Sequence, residues 1–314
     1  MSAPISANVG TALLKGVLSP AVTPFKADLS PDTARFSRHC TWLLEHGCAG
    51  LAVFGTNSEA NSLSVGERMD LLEGLVASGV PAARLMPGTG CCALEDSVRL
   101  TAHATGLGCA GSLMLPPFYY KGVPEEGLFR SYSEIIQRVA HPAMKIYLYH
   151  IPPVSQVAIT RSLVERLLKA YPETVVGVKD SSGDWQNTLG FLEYAKEGFQ
   201  VFAGSETFLL QNMRHGGVGC ITAGANVNPG QIHEVYRRWQ EPEADALQAG
   251  IDKIREILQA HGPMIGTLKA VIAAYANDPA WKTVRPPLVE AGPAQAEALL
   301  QDLRAAGFTM PGLV

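Results

Sequence analysis

One alternation repeats eight times along the 314 residues of this chain, and it constrains the fold more than any other feature. A short apolar, β-branched run ends at Gly, Pro, Thr or Ser and gives way to a longer segment with apolar residues at helical spacing. The runs lie at 17–22, 50–56, 84–88, 111–115, 145–149, 174–179, 200–203 and 218–222. Helical patterns follow at 32–45, 64–78, 94–106, 125–139, 161–170, 185–196, 208–214 and 231–239. Strict βα repetition predicts a parallel sheet. Eight units predict closure into a (β/α)8 TIM barrel, because closure removes both sheet edges and leaves every strand buried. Ser64-Val-Gly-Glu67 predicts a capping box, with the serine hydroxyl and the glutamate each satisfying the other's backbone at the start of a helix.

After Glu241 the pattern turns wholly helical, at 244–260, 264–276 and 294–306, with a Pro-rich joint at Arg285-Pro-Pro287. The expected organisation is a barrel over 1–240, carrying an active site at the C-terminal ends of its strands, and a helical domain over 241–314.

A composition of 47% hydrophobic and 17% charged residues permits a sizeable core, and a net charge of -4 gives no broad field for nucleic acid or anionic lipid. A small-molecule partner is expected. Residues 1–16 lack a basic stretch and an apolar run of signal-peptide length, and nowhere do 18 apolar residues follow one another, so the reading is a soluble cytoplasmic protein with no membrane contact. The six cysteines include no C-x-x-C, which suits buried thiols in a reducing compartment.

Reacting groups in such a barrel come from the C-terminal ends of its strands. Lys179 directly follows Val175-Val-Gly-Val178 and should project its amine into the barrel mouth. An amine kept from bulk water holds more of its free form, which attacks carbonyls to make imines. The alternative is a structural ion pair with Asp180 or Asp184. Tyr149, one strand away, offers a phenol that can shuttle a proton; core packing with a satisfied hydroxyl is the other reading. Thr56 and Asn57 close the second run at a glycine-initiated turn, where N–H groups and side chains can hold a carboxylate or simply cap a loop. Lys145 opens its strand on the wrong face for chemistry.

Two other chemistries find less footing. Gly88-Thr-Gly90-Cys-Cys-Ala93 fits a dinucleotide-binding G-x-G-x-x-A, but the acid required about twenty residues later is missing. None of the eight histidines forms H-x-x-x-H or H-E-x-x-H, so no metal site is expected. A barrel that only binds remains open on spacing alone.

At these residues the chain resembles the superfamily of dihydrodipicolinate synthases and N-acetylneuraminate lyases, class I lyases that work through a Schiff base. Gly55-Thr-Asn-Ser-Glu59 resembles the family's G-T-T-G-E turn, Tyr149-His-Ile-Pro152 its Y-N-x-P, and Gly177-Val-Lys179-Asp its imine-lysine motif. The resemblance implies Lys179, Tyr149, Thr56 and Tyr119 as catalytic residues, with Tyr119 reaching a neighbouring subunit's proton relay. It also implies substrate contacts from Asn57, Ser181, Gly204, Ser205, Glu206, Ile221 and Val154. Pyruvate and an aldehyde are the implied ligands, no cofactor is required, and a homotetramer built as a dimer of dimers is the implied assembly.

The departures bear on the substrate. Synthases carry an arginine after Y-N-x-P for the far carboxylate of aspartate semialdehyde, and Val154 stands there instead. The loop 151–157 and Lys179-Asp-Ser-Ser-Gly-Asp184 look more like those of the neuraminate lyases, in which Ser181 and Glu206 match positions that meet sugar hydroxyls. Asn57, Ser58 and His150 replace the usual Thr, Gly and Asn. The expected enzyme is an aldolase that cleaves or makes a 2-keto-3-deoxy-acid-like substrate with a hydroxylated or otherwise non-acidic remainder. The alternatives are 4-hydroxy-tetrahydrodipicolinate synthase and a 2-keto acid dehydratase using the same imine.

Overall fold

The computed structural model describes residues 13–313; most of the N-terminal stretch read for a signal peptide lies outside them. Seven strands form one parallel sheet: β1 Gly16–Ser19, β2 Gly50–Leu51, β3 Ser112–Met114, β4 Ile146–His150, β5 Val175–Asp180, β6 Gln200–Ala203 and β7 Gly219–Ile221. Their order is β2-β1-β7-β6-β5-β4-β3. The apolar run at 84–88 supplies the eighth stave, reduced to single bridges that join Leu51 to Leu85 and Gly88 to Leu113. Met86 N–H donates to the Leu51 carbonyl at 2.8 Å, Gly88 N–H to Val53 at 2.7 Å, and Leu113 N–H to Pro87 at 2.9 Å. Those bonds close the (β/α)8 barrel between β2 and β3. Pro87 has no N–H to donate, which shortens the ladder there.

Helices follow the strands: α1 Thr33–Glu45, α2 Val65–Ala77, α3 Leu94–Gly106, α4 Glu125–Val139, α5 Pro152–Ser155, α6 Arg161–Ala170, α7 Trp185–Leu192, α8 Leu209–Arg214 and α9 Pro229–Arg237. The Ser64–Glu67 capping box forms at the start of α2. The pattern expected as helix over 185–196 ends its regular α-turns at Leu192 and continues as a 3-10 turn, Glu193–Glu197, closed by Gly198 at φ 87°. Inside the barrel the inward side chains of successive staves, among them Leu18, Ala52, Met86, Leu113, Tyr147, Phe202 and Ile221, pack as one cluster. That plug makes the interior a packed floor beneath the strand ends.

Three further helices, α10 Ala244–Ala260, α11 Met264–Tyr275 and α12 Pro293–Ala305, follow the barrel. Ile251, Ile254 and Leu258 of α10 and Val271 of α11 share one buried cluster with Phe36, Leu75 and Val235 of the barrel helices. Each such side chain contributes about 1.5–3 kcal/mol by leaving water. No helix among the described residues is long and apolar enough to cross a membrane.

Candidate active site

Strand register brings the two principal side chains together. Tyr149 of β4 pairs with Lys179 of β5, and Lys179 with Phe202 of β6, so all three stand at one height and point to one face of the sheet. Phe202 belongs to the interior plug, so that face is the barrel's inside. The Lys179 amine lies 4.3 Å from the centre of the Tyr149 ring. The ion-pair alternative fails because both acids are engaged elsewhere. Asp180 accepts from Ser182 N–H at 2.9 Å, Asn187 Nδ2 at 3.1 Å and Thr188 Oγ1 at 2.6 Å. Asp184 accepts from Gln186 N–H at 2.9 Å as the cap of α7. Lys179 is 3% exposed, and it lines a cavity of about 390 Å³ at the strand ends.

The two tyrosines of β4 take different roles. Tyr147 donates its hydroxyl to Gln200 Oε1 at 2.7 Å, deep in the plug, and burial pushes its phenol well above the usual range. Tyr149 lies one pleat higher, at the cavity, with its hydroxyl 3.3 Å from Thr56 Oγ1. His150 points to the other face: Ile159 N–H donates to its Nδ1 at 2.9 Å, which leaves the remaining proton on Nε2 in the neutral ring. Burial holds it below the ordinary histidine range, against the opposing effect of Asp180.

Thr56 and Asn57 line the same cavity from the turn after β2. The turn is bracketed by left-handed residues, Phe54 at φ 58° and Glu59 at φ 56°, conformations that side-chain-bearing residues hold only when their surroundings fix them. Gly88 fits beneath it because a Cβ there would meet the Phe54 carbonyl at 2.2 Å, and a Cβ on Gly90 would meet Leu115 backbone atoms at 2.2 and 2.4 Å. The Gly88-Thr-Gly90 motif therefore serves close backbone packing. Two anchors hold the turn from behind. Thr23 Oγ1 donates to the Ser58 carbonyl at 2.7 Å, and Glu59 pairs with Lys269 of α11, both side chains being wholly buried. Lys269 Nζ also donates to the Thr283 carbonyl at 2.8 Å, and Arg285 N–H donates to Glu59 Oε2 at 3.2 Å. Removing one member of such a pair strands a charge, so Lys269→Met should destabilise the fold by about 3–5 kcal/mol in urea unfolding. Adding Glu59→Gln should return part of that loss, and a single-variant shift under about 1 kcal/mol would show that the pair does not secure the turn.

Of the remaining residues read from sequence, Ser181, Gly204, Ser205 and Val154 line the cavity. Val154 is 61% exposed at its lip. A Cβ on Gly204 would meet Ser181 Oγ at 2.1 Å, so the glycine lets these two loops close together. Three residues fall elsewhere. Ile221 is part of the packed floor. Tyr119, 74% exposed, stands outside this cavity on a loop beside Tyr120. Glu206 is 2% exposed and turned from the cavity, its carboxylate accepting from Thr222 Oγ1 and, at 3.1 Å, from Arg255 Nη1. Arg255 of α10 is the residue that sequence reasoning missed. It lines the cavity with Gln259 of the same helix and Met264 of α11. Val154 leaves the lip without the arginine that the resemblance places there in synthases, and a guanidinium enters the cavity from the C-terminal helices instead.

The dihydrodipicolinate synthetase family model matches residues 13–306 of the chain. A 4-hydroxy-tetrahydrodipicolinate synthase of Rhizobium meliloti is 31% identical, over 94% of this chain and 99% of that protein. An uncharacterised DapA-like lyase of Chloroflexus aurantiacus is 31% identical over 78% of this chain and 81% of its own length. Among solved structures, dihydrodipicolinate synthase from Agrobacterium tumefaciens superposes with a TM-score of 0.85 at 29% identity, covering 93% of this chain and 99% of that one.

Proposed function

Because the chain belongs to the dihydrodipicolinate synthetase family and is a Schiff-base-forming pyruvate lyase, we propose that it is an aldolase acting on a hydroxylated 2-keto-3-deoxy acid. The observation that carries this is one cavity in which Lys179, Tyr149, Thr56 and Asn57 converge while the lysine has no carboxylate partner among the described residues. Lys179 Nζ attacks the C2 carbonyl and water leaves, giving a protonated imine. Thr56 and Asn57 hold the adjoining carboxylate. Tyr149 takes the proton from the C4 hydroxyl, the C3–C4 bond breaks, and its electrons pass into the imine, which becomes an enamine. The aldehyde departs, C3 is protonated, and water releases pyruvate. Synthesis runs the same steps backward.

Ser181 and Ser205, on loops lining the cavity, supply hydroxyls for the polyhydroxy chain. The names of the relatives favour the synthase as a second reading, while Val154 offers the far carboxylate of aspartate semialdehyde no donor at the lip. Pyruvate should therefore condense with hydroxyaldehydes at least tenfold faster in kcat/KM than with aspartate semialdehyde, a gap of about 1.4 kcal/mol. Product mass from a panel of aldehydes reads this directly, and efficient turnover of aspartate semialdehyde alone would replace the aldolase with the synthase. The protein is further read as a cytoplasmic homotetramer. Six cysteines standing as thiols suit the compartment, and the exposed Tyr119–Tyr120 tip suits burial against a neighbouring copy.

A further inference from the structure

The segment after β6 gives the cavity four of its lining residues, Gly204, Ser205, Thr207 and Phe208, and its winding is set from α10. It runs as a 3-10 turn, Glu206–Phe208, and becomes regular α-helix only at Leu209. The buried side-chain amide of Gln248, on α10, stands at that junction. The Glu206 carbonyl accepts from Leu209 N–H, the bond of a 3-10 turn, and from Gln248 Nε2 at 2.9 Å. Both its lone pairs are thereby used. Leu210 N–H, which an α-helix would direct at that carbonyl, donates to Gln248 Oε1 at 3.1 Å. A backbone N–H only donates and a backbone carbonyl only accepts, so the amide fits in one orientation. Its second N–H goes to Asp252 Oδ1 at 2.8 Å, one turn along α10.

We infer that Gln248 is a positioning residue, which holds the Ser205–Phe208 wall in the 3-10 wind that presents two hydroxyls to the far end of the substrate. This rests on the aldolase reading and deepens it. Ser205 Oγ and Thr207 Oγ1 lie 2.9 Å apart. Whichever of them donates, the pair keeps one O–H to give and a lone pair to accept. A vicinal diol offers the matching acceptor and donor, and an alkyl chain offers neither. Strand register puts this pair on the aldehyde side, because Lys179 stands between Tyr149 of β4 and Phe202 of β6. Thr56, one holder of the pyruvyl carboxylate, meets the Tyr149 hydroxyl, which leaves the β6 side to the chain beyond C3. Without the amide, Leu210 N–H closes on Glu206 and α-winding spreads back through the turn. The three residues then shorten by about 1.5 Å and rotate by about 20° each, the difference between the two helix types. Hydrogen bonds from this wall to a chain in the cavity do not survive such a shift.

Condensation of pyruvate with glyceraldehyde, which carries a diol, and with acetaldehyde, which carries none, tests this. The wild-type protein should favour glyceraldehyde in kcat/KM, and Gln248→Met should reduce the glyceraldehyde-to-acetaldehyde ratio at least tenfold, through KM for glyceraldehyde. Capture of pyruvate on Lys179 by borohydride should keep its dependence on pyruvate concentration. A purely structural defect would slow both aldehydes alike and leave the ratio in place. Ser205→Ala with Thr207→Val removes the hydroxyls themselves and should lower the ratio as much, but should add nothing to Gln248→Met, since both changes break one set of contacts. Should Gln248→Met fail to fold, Gln248→Glu keeps the acceptor for Leu210 and loses the donor to Glu206, and the same pattern is expected. No preference for glyceraldehyde in the wild type, a ratio unmoved in a folded variant, additive losses, or failure of both variants to fold overturns the inference. Failure of pyruvate and borohydride to label the wild-type protein, or of both aldehydes to condense, overturns the aldolase reading instead, so the two failures are told apart.

Discussion

Lys179→Ala is expected to abolish turnover and, with it, the covalent capture of pyruvate. An imine between Lys179 and pyruvate is reducible, and borohydride turns it into a secondary amine that survives digestion. The wild-type protein should therefore gain the mass of one reduced pyruvyl group on the peptide carrying Lys179, and the variant none. No nearby lysine can substitute, because the only other wholly buried one among the described residues, Lys269, is committed to Glu59 behind the turn. Loss of a covalent nucleophile removes the low-barrier path entirely, a cost of about a millionfold in kcat where a hydrolase has been stripped of its own. The fold should persist, since among the described residues Lys179 makes no ion pair whose loss would strand a charge; its neighbour Asp180 is satisfied by Ser182, Asn187 and Thr188. If chelation with EDTA stops the wild-type reaction while pyruvate and borohydride leave its mass unchanged, a metal-dependent mechanism takes the place of the imine.

The barrel was legible because its signal is redundant. Each βα unit repeats the same period change, and local chemistry such as the Ser64–Glu67 box agrees with it. Lys179 and Tyr149 were legible for a related reason: each ends a buried run, and in a parallel barrel the ends of neighbouring strands meet. The stave at 84–88 was read as an ordinary strand, yet Pro87 interrupts its donors and leaves it as bridges. Arg255 and Glu206 were harder, since a contact spanning 49 residues leaves no periodicity to read. A local sign existed all the same. Arg255 follows Ile254 and sits one turn from Ile251 and Leu258, on the border of the stripe that α10 buries, where a guanidinium requires a partner. Glu206 was placed by resemblance among hydroxyl-binding residues; its burial makes it the brace of Arg255. Ile221 likewise stands in the floor although it ends β7, because its register partner is Leu18 of β1, itself a floor residue.

Tyr149→Phe should lower kcat by about two to four orders of magnitude, the range for a positioned acid or base. The ring is packed in the floor and remains after the substitution. Only the hydroxyl and its 3.3 Å contact with Thr56 are lost, worth about 1 kcal/mol of stability, so folding and pyruvate binding should survive the change in rate. Tyr147→Phe is the matched control. It removes a phenol from the same strand, but one bonded to Gln200 beneath the cavity, and the rate should stay within a few-fold of wild type. Equal effects at both positions would reduce Tyr149 to packing. For the proton to leave the Tyr149–Thr56 pair, the relay needs a further member. Tyr119 cannot provide it within its own chain, because it stands exposed outside the cavity. Supplied by a neighbouring copy, it makes each site a property of two subunits. Tyr119→Phe and Lys179→Ala proteins, each impaired alone, should then regain part of the wild-type rate after subunit exchange, since a mixed pair contains one site with both residues intact. Absence of any recovery in exchanged mixtures would place the end of the relay in solvent and confine the chemistry to a single chain.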